Sequence, residues 1–217
     1  MVTNITEQKQ MSTGTTTVVL MCKNGIVMAA DKRATAGNLI ADKKIEKIHQ
    51  IMNETATTIA GSVSDVQLIL KIARAELILK QLKSNTEVSV KEISSYMAGL
   101  NYQGLRAPTM IPSIAHFLVA GKDKSGFSSY NVDVDGSITS IDDYYTSGSG
   151  SVFVFGILDT YYNKNMSIDE GIKLATKCIN AALQRDTASG EGIDVAVIDD
   201  KGFKKVKREL VNIKFSE

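Results

Sequence analysis

At 217 residues and 23.5 kDa, with 43% hydrophobic and 23% charged residues, the chain suits one globular domain with a sizeable core. Its 25 Lys and Arg nearly balance 24 Asp and Glu, which argues against a basic field for nucleic acid or anionic membrane. Cys22 and Cys178 have no metal-ligand spacing, and no apolar run reaches membrane-spanning length.

Residues 1–13 are polar and unpatterned. Glu7, Gln8, Lys9 and Gln10 interrupt any secretory core, so the stretch reads as a tail or pro-segment on a cytoplasmic protein. Gly14 and Thr15 then open a β-branched run over 16–22. The Lys23-Asn24-Gly25 turn leads into a second, almost wholly apolar strand over 26–30, a hairpin signal. Asp31 ends that strand abruptly. Residues 44–51 alternate, with Ile45, Lys47, His49 and Ile51 on one face, and 55–60 read as the next strand, ending at Gly61. Four strands joined by short turns imply an antiparallel sheet.

Ser64-Asp65 offers cap chemistry for a helix over 63–83, whose polar stripe (Gln67, Lys71, Arg74, Gln81) is narrow. A helix this apolar is covered on more than one side, and contacts between subunits explain it naturally. A second helix is expected over 89–105. Strands follow over 114–120, 127–134 and 137–144, with turn formers between them. Ser147-Gly148-Ser149-Gly150-Ser151 opens a helix over 152–162 as a flexible turn with a serine cap. Ser167 caps another helix through Arg185, which carries Cys178 on its apolar face as a buried thiol. A strand over 193–199 and a basic, alternating one over 203–208 close the chain. Strands, two helices, strands, two helices, strands: two antiparallel sheets between helical layers would bury every apolar face.

Familiar catalytic arrangements are absent from the sequence. There is no H-E-x-x-H, no G-x-S-x-G and no P-loop, and only two histidines. His116 lies in an apolar strand and reads as a satisfied core histidine; His49 reads equally as pocket lining or strand surface. What remains is a hydroxyl nucleophile helped by an amine. Lys47, beside Ile45 and Ile51, needs a partner if it points inward, and Asp31 is available; such a pair is as often structural as catalytic. Thr15 with a free α-amine would carry nucleophile and base together, although an ordinary strand start explains the same residues locally.

Six blocks in order resemble β-type subunits of the archaeal proteasome, threonine-dependent N-terminal nucleophile hydrolases. They are Gly14-Thr15-Thr16-Thr17-Val18, Ala29-Ala30-Asp31-Lys32-Arg33-Ala34-Thr35, Lys44-Ile45-Glu46-Lys47-Ile48, Thr58-Ile59-Ala60-Gly61-Ser62, Gly148-Ser149-Gly150-Ser151 and Arg185-Asp186-Thr187-Ala188-Ser189-Gly190. The resemblance implies an α+β fold, a four-layer αββα sandwich. It implies a propeptide over residues 1–14, removed at the Gly14–Thr15 bond by the chain itself, and one hydrolase domain over 15–217. Thr15 would attack peptide bonds, with its own amine or Lys47 as base, Asp31 holding Lys47, and Gly61 supplying an oxyanion N–H. Ser149, Asp186 and Ser189 match the hydrogen-bonded shell around the threonine, and Arg33 a brace. Thr35 matches a position that holds substrate as an added strand. Ala34, Ile45, His49, Ile59 and Val63 match pocket positions. No cofactor or metal is implied. The implied partners are α-type and other β subunits in stacked sevenfold rings, an ATPase regulator on the α rings, and unfolded polypeptide, with neither nucleic acid nor membrane. Two alternatives stand beside this: a β-type subunit without activity that serves ring assembly, and a bacterial proteasome-like peptidase.

Overall fold

The computed structural model describes residues 14–211. Its first strands, β1 (Thr17–Cys22) and β2 (Gly25–Asp31), pair as the expected hairpin. A small hairpin follows, β3 (Ala34–Ala36) with β4 (Leu39–Asp42). Then come β5 (Ile48–Met52), β6 (Thr55–Gly61), α1 (Val63–Ser84) and α2 (Val90–Arg106). The second half runs β7 (Ala115–Asp123), β8 (Gly126–Val132), β9 (Ile138–Ser140), β10 (Tyr144–Ser147), α3 (Ser151–Tyr161), α4 (Ile168–Arg185), β11 (Gly192–Asp199) and β12 (Gly202–Leu210).

Two five-stranded antiparallel sheets form, ordered β10-β1-β2-β11-β12 and β5-β6-β7-β8-β9. Strand alternation assigns each residue to a layer. Val18, Leu20, Val27, Ala29, Val195 and Val197 face α3 and α4 and pack on Leu158, Ala175, Cys178 and Ile179. Phe117, Val119 and Val132 face α1 and α2, meeting Val66, Ala73, Ile93 and Met97. Val19, Ile26, Met28, Leu118, Ala120, Ile141 and Ile198 fill the space between the sheets. The chain is an α+β protein built as a four-layer αββα sandwich. Capping boxes start two of the helices: Ser89 with Glu92 at α2, Ser167 with Glu170 at α4.

Four local expectations need correction. The strand expected over 137–144 is two strands in different sheets. After β9, Ile141 turns into the layer between the sheets, its N–H held by Ser129 O at 2.9 Å, and Asp143 O then accepts from Met21 N at 2.7 Å. Alternation continues through this crossing, so the sequence pattern does not reveal it. The strand expected from Lys44 begins only at Ile48, leaving Lys47 just outside it. Ser64-Asp65 does not cap α1: Ser62 is the cap residue, without a side-chain capping bond, and Asp65 accepts instead from Ile114 N at 3.0 Å. No serine side chain caps α3 either.

Antiparallel register collects functional ends at one edge of the sandwich. Thr17 lies opposite both Ala30 and Ser147, Ile193 opposite Asp31, and Gly61 opposite Ala115. The beginnings of β1, β5 and β11 therefore meet the ends of β2, β6 and β10 there.

Next to this edge Lys32 is fully buried against Asp194. A buried ion pair gains little over an apolar pair, but breaking it strands a charge. Asp194→Ala is expected to destabilise the subunit by about 3–5 kcal/mol, and Lys32→Met with Asp194→Leu to recover most of that loss in urea unfolding.

Candidate active site

Asp31, at the end of β2, is fully buried and accepts four hydrogen bonds. Oδ1 takes Lys47 Nζ at 2.7 Å and Thr16 N at 2.9 Å. Oδ2 takes the backbone N–H groups of Arg33 and Gly190, both at 3.0 Å. One carboxylate thus ties the heads of β1 and β5 to the loop before β11. Lys47 is 3% exposed, and burial pushes its pKa below the ordinary lysine value against the opposing pull of Asp31.

Thr15 stands two residues before β1 begins, its N–H an amide joined to Gly14. Its hydroxyl donates to Gly14 O at 2.7 Å, and Lys47 Nζ lies 3.5 Å from the same oxygen. Gly14 packs so tightly that a Cβ there would fall 1.7 Å from Ala188 Cβ, and its N–H donates to Thr35 Oγ1 at 3.1 Å.

A second carboxylate orders the opposite side. Asp186, at the end of α4, accepts from the hydroxyls of Ser149 and Ser189, both at 2.6 Å. A hydroxyl has one proton, so each serine then offers only lone pairs to its other neighbour. Ser149 receives Thr15 N–H at 3.3 Å, and Ser189 receives the Thr16 hydroxyl at 2.7 Å. Gly148 (φ +95°) makes the turn possible, since a Cβ would lie 2.0 Å from Thr15 O. Ser149, read from sequence within a flexible serine-capped turn, therefore faces the threonine rather than a helix end.

A cleft of about 20 Å³, room for one water, opens beside Thr15. Gly14, Ala34, Thr35, Ile45, Lys47, Ile59, Gly61 and Val63 line it together with Arg33. Gly61 (φ +113°) ends β6, where a Cβ would meet Ile114 O at 2.3 Å. Arg33 donates to Thr187 O at 2.9 Å and Glu191 Oε1 at 3.0 Å, bracing the loop that carries Ser189. His49 is not among the residues that line this cleft. It lies in β5, two residues after Lys47, and its Nε2 meets Glu46 O at 2.9 Å. Sequence reasoning gave no role to Thr16 or Gly190, whose contacts to Ser189 and Asp31 close the two networks; both stand inside the quoted blocks, which was the available signal.

The αββα sandwich is the fold of the N-terminal nucleophile hydrolases, and at one edge of it stand Thr15, the buried Lys47–Asp31 pair and the Ser149–Asp186–Ser189 cluster. Comparison with known proteins narrows this. The family profile for proteasome subunits matches residues 11–198. A "Proteasome subunit beta" of Methanobrevibacter smithii is 40% identical over 92% of this chain and 94% of its own length. One from Ferroglobus placidus is 38% identical (91% and 92%), and "Proteasome subunit beta 2" of Pyrococcus abyssi 39% (89% and 90%). The chain belongs to the proteasome subunit family, among its β subunits.

Burial and the nearby Arg74 hold the His49 pKa down to about 4, from an ordinary 6.5. The folded state then keeps the ring neutral where the unfolded chain takes a proton. Stability is complete above pH 6.5 and falls as pH drops toward 4, by about 2 kcal/mol after allowing for solvent screening. In denaturant titrations His49→Gln is expected to flatten that acid slope and leave stability near pH 8 little changed.

Proposed function

We propose that this chain is a catalytic β subunit whose Thr15 becomes the N-terminus by self-cleavage after Gly14, and then hydrolyses peptide bonds of unfolded proteins. The observation carrying this is the Gly14–Thr15 bond itself. The hydroxyl of Thr15 and the amine of Lys47 both converge on the Gly14 carbonyl, and Asp31 holds Lys47 there.

In the uncleaved chain the Thr15 nitrogen is an amide and no base, so Lys47 is the amine at hand. Burial lowers its pKa, the direction a general base needs. Thr15 Oγ1 bonds to the Gly14 carbonyl carbon, the C–N bond to Thr15 breaks, and the nitrogen takes up a proton. Water then hydrolyses the ester, releasing the segment that ends at Gly14 and freeing the Thr15 amine. Peptide substrates follow the same path through an acyl-enzyme, with that amine or Lys47 as base. Gly61 N–H is the proposed oxyanion donor. Ser149, Asp186 and Ser189 keep the threonine oriented, and Arg33 braces their loop. Thr35 holds the substrate backbone, as its hydroxyl holds Gly14 N–H. Residues 1–13, the rest of the proposed propeptide, lie outside the described residues. No cofactor enters this chemistry.

Leu68, Leu82 and Val152 expose apolar side chains on α1 and α3, at 58%, 75% and 70%. These faces suit burial against other subunits. The proposed assembly is stacked sevenfold rings with α-type subunits, served by an ATPase regulator in the cytoplasm. Ala34, Ile45, Ile59 and Val63 make the cleft wall apolar, favouring cleavage after apolar or aromatic residues. His49 is the fifth pocket position proposed by resemblance, beyond the residues that line this cleft.

A second reading is a β-type subunit that assembles without maturing. It draws on the numbered relatives, "Proteasome subunit beta 2" of Pyrococcus abyssi and "Proteasome subunit beta 1" of Thermococcus sibiricus. Peptidase assays on particles assembled with an α subunit separate the two. Thr15→Ala is expected to abolish hydrolysis and Lys47→Ala to lower it at least about 100-fold; wild-type particles as inactive as Thr15→Ala would favour the second reading. Among peptides with Tyr, Arg or Glu before the cut, Tyr is expected to be cleaved fastest, and fastest cleavage after Arg would overturn the apolar pocket.

A further inference from the structure

His116 is one of two histidines in the chain, and the catalytic scheme above leaves it idle. It lies near the start of β7 with its side chain toward the space between the sheets, one residue before Phe117 on the opposite face. Both ring nitrogens are engaged. Nε2 meets Asn131 Oδ1 on neighbouring β8 at 2.5 Å, and Nδ1 meets Ser147 Oγ on β10 at 2.6 Å. Asn131 and Ser147 are both 4% exposed. Because Oδ1 only accepts, Nε2 carries a proton toward Asn131, and Nδ1 pairs with the Ser147 hydroxyl. The imidazole is therefore a directed link from one sheet to the other.

Its location gives the link a consequence. Within its own sheet His116 pairs with Ala60, a cleft residue beside Gly61, the proposed oxyanion donor. Across the gap it grips Ser147, which pairs with Thr17 and directly precedes Gly148 and Ser149. Ser149 is the residue that joins Asp186 to the Thr15 nitrogen. The two halves of the site come from different sheets: Gly61 from one, Thr15 and the 147–150 turn from the other. Apolar packing between sheets is non-directional and tolerates small slides, whereas a doubly bonded imidazole fixes one spacing.

We infer that His116, acting through Ser147, is a positioning residue that holds the serine turn and the Gly61 strand at the separation Thr15 chemistry needs. The inference rests on the reading of Thr15 as nucleophile. It assigns no proton transfer to His116, which does not line the cleft.

The test uses assembled particles and full kinetics. Ser147→Ala removes one oxygen and leaves the backbone pairing of β10 intact. It is expected to lower kcat about tenfold, with KM within twofold and the thermal midpoint of the particle unchanged. His116→Leu is expected to match it, and the double variant to be no slower than either single one, since both changes cut the same link. Ser147→Ala with kcat within twofold of wild type would overturn the inference, as would losses that multiply in the double variant. If His116→Leu does not assemble, Ser147→Ala decides alone. Retained hydrolysis in Thr15→Ala, by contrast, would refute the nucleophile and not the link.

Discussion

The structure depends on one carboxylate, Asp31, buried with four hydrogen-bond donors around it. A lysine as buried as Lys47 would be costly without a charged partner, and a buried aspartate would be costly without donors. Each makes the other tolerable. The backbone N–H groups of Thr16, Arg33 and Gly190 complete the arrangement by bringing in three separate chain segments. The same contacts that keep the charge folded also point Lys47 at the Gly14 carbonyl, so stability and the proposed chemistry rest on one group.

Asp186 does the equivalent work without a lysine. Its two serine hydroxyls leave lone pairs facing Thr15 and Thr16, so Thr15 is held from its nitrogen side as well. Gly14 fits between these networks because it lacks a side chain: Ala188 occupies the space where a Cβ would sit. The bond before Thr15 is thus enclosed on both sides by packing.

The layered fold was legible because hydrophobic alternation and turn residues repeat with the right periods, and the expected order of strands and helices matches the structure's main elements. What the pattern missed was long-range. Alternation over 137–144 looks continuous, yet Ile141 crosses between sheets, and only stacking of the two sheets decides that. The β3–β4 hairpin has strands of only three and four residues, too short for alternation to register. Ser149 resembled a helix cap because serine before a helix usually is one; a carboxylate from the distant end of α4 claims it instead. Single residues of the site were ambiguous in sequence for the same reason. Asp31 and Lys47 were as easily a structural pair as a reactive one, and the approach of Lys47 to Gly14 O is a property of the fold.

The account turns on whether the Gly14–Thr15 bond is cut. Co-assembly of the full chain with an α-type subunit, followed by N-terminal sequencing and intact-mass measurement of the purified particle, addresses it directly. The expected result is a chain beginning at Thr15 and lighter by residues 1–14. A complete, assembled particle whose chain still begins at Met1 would contradict it.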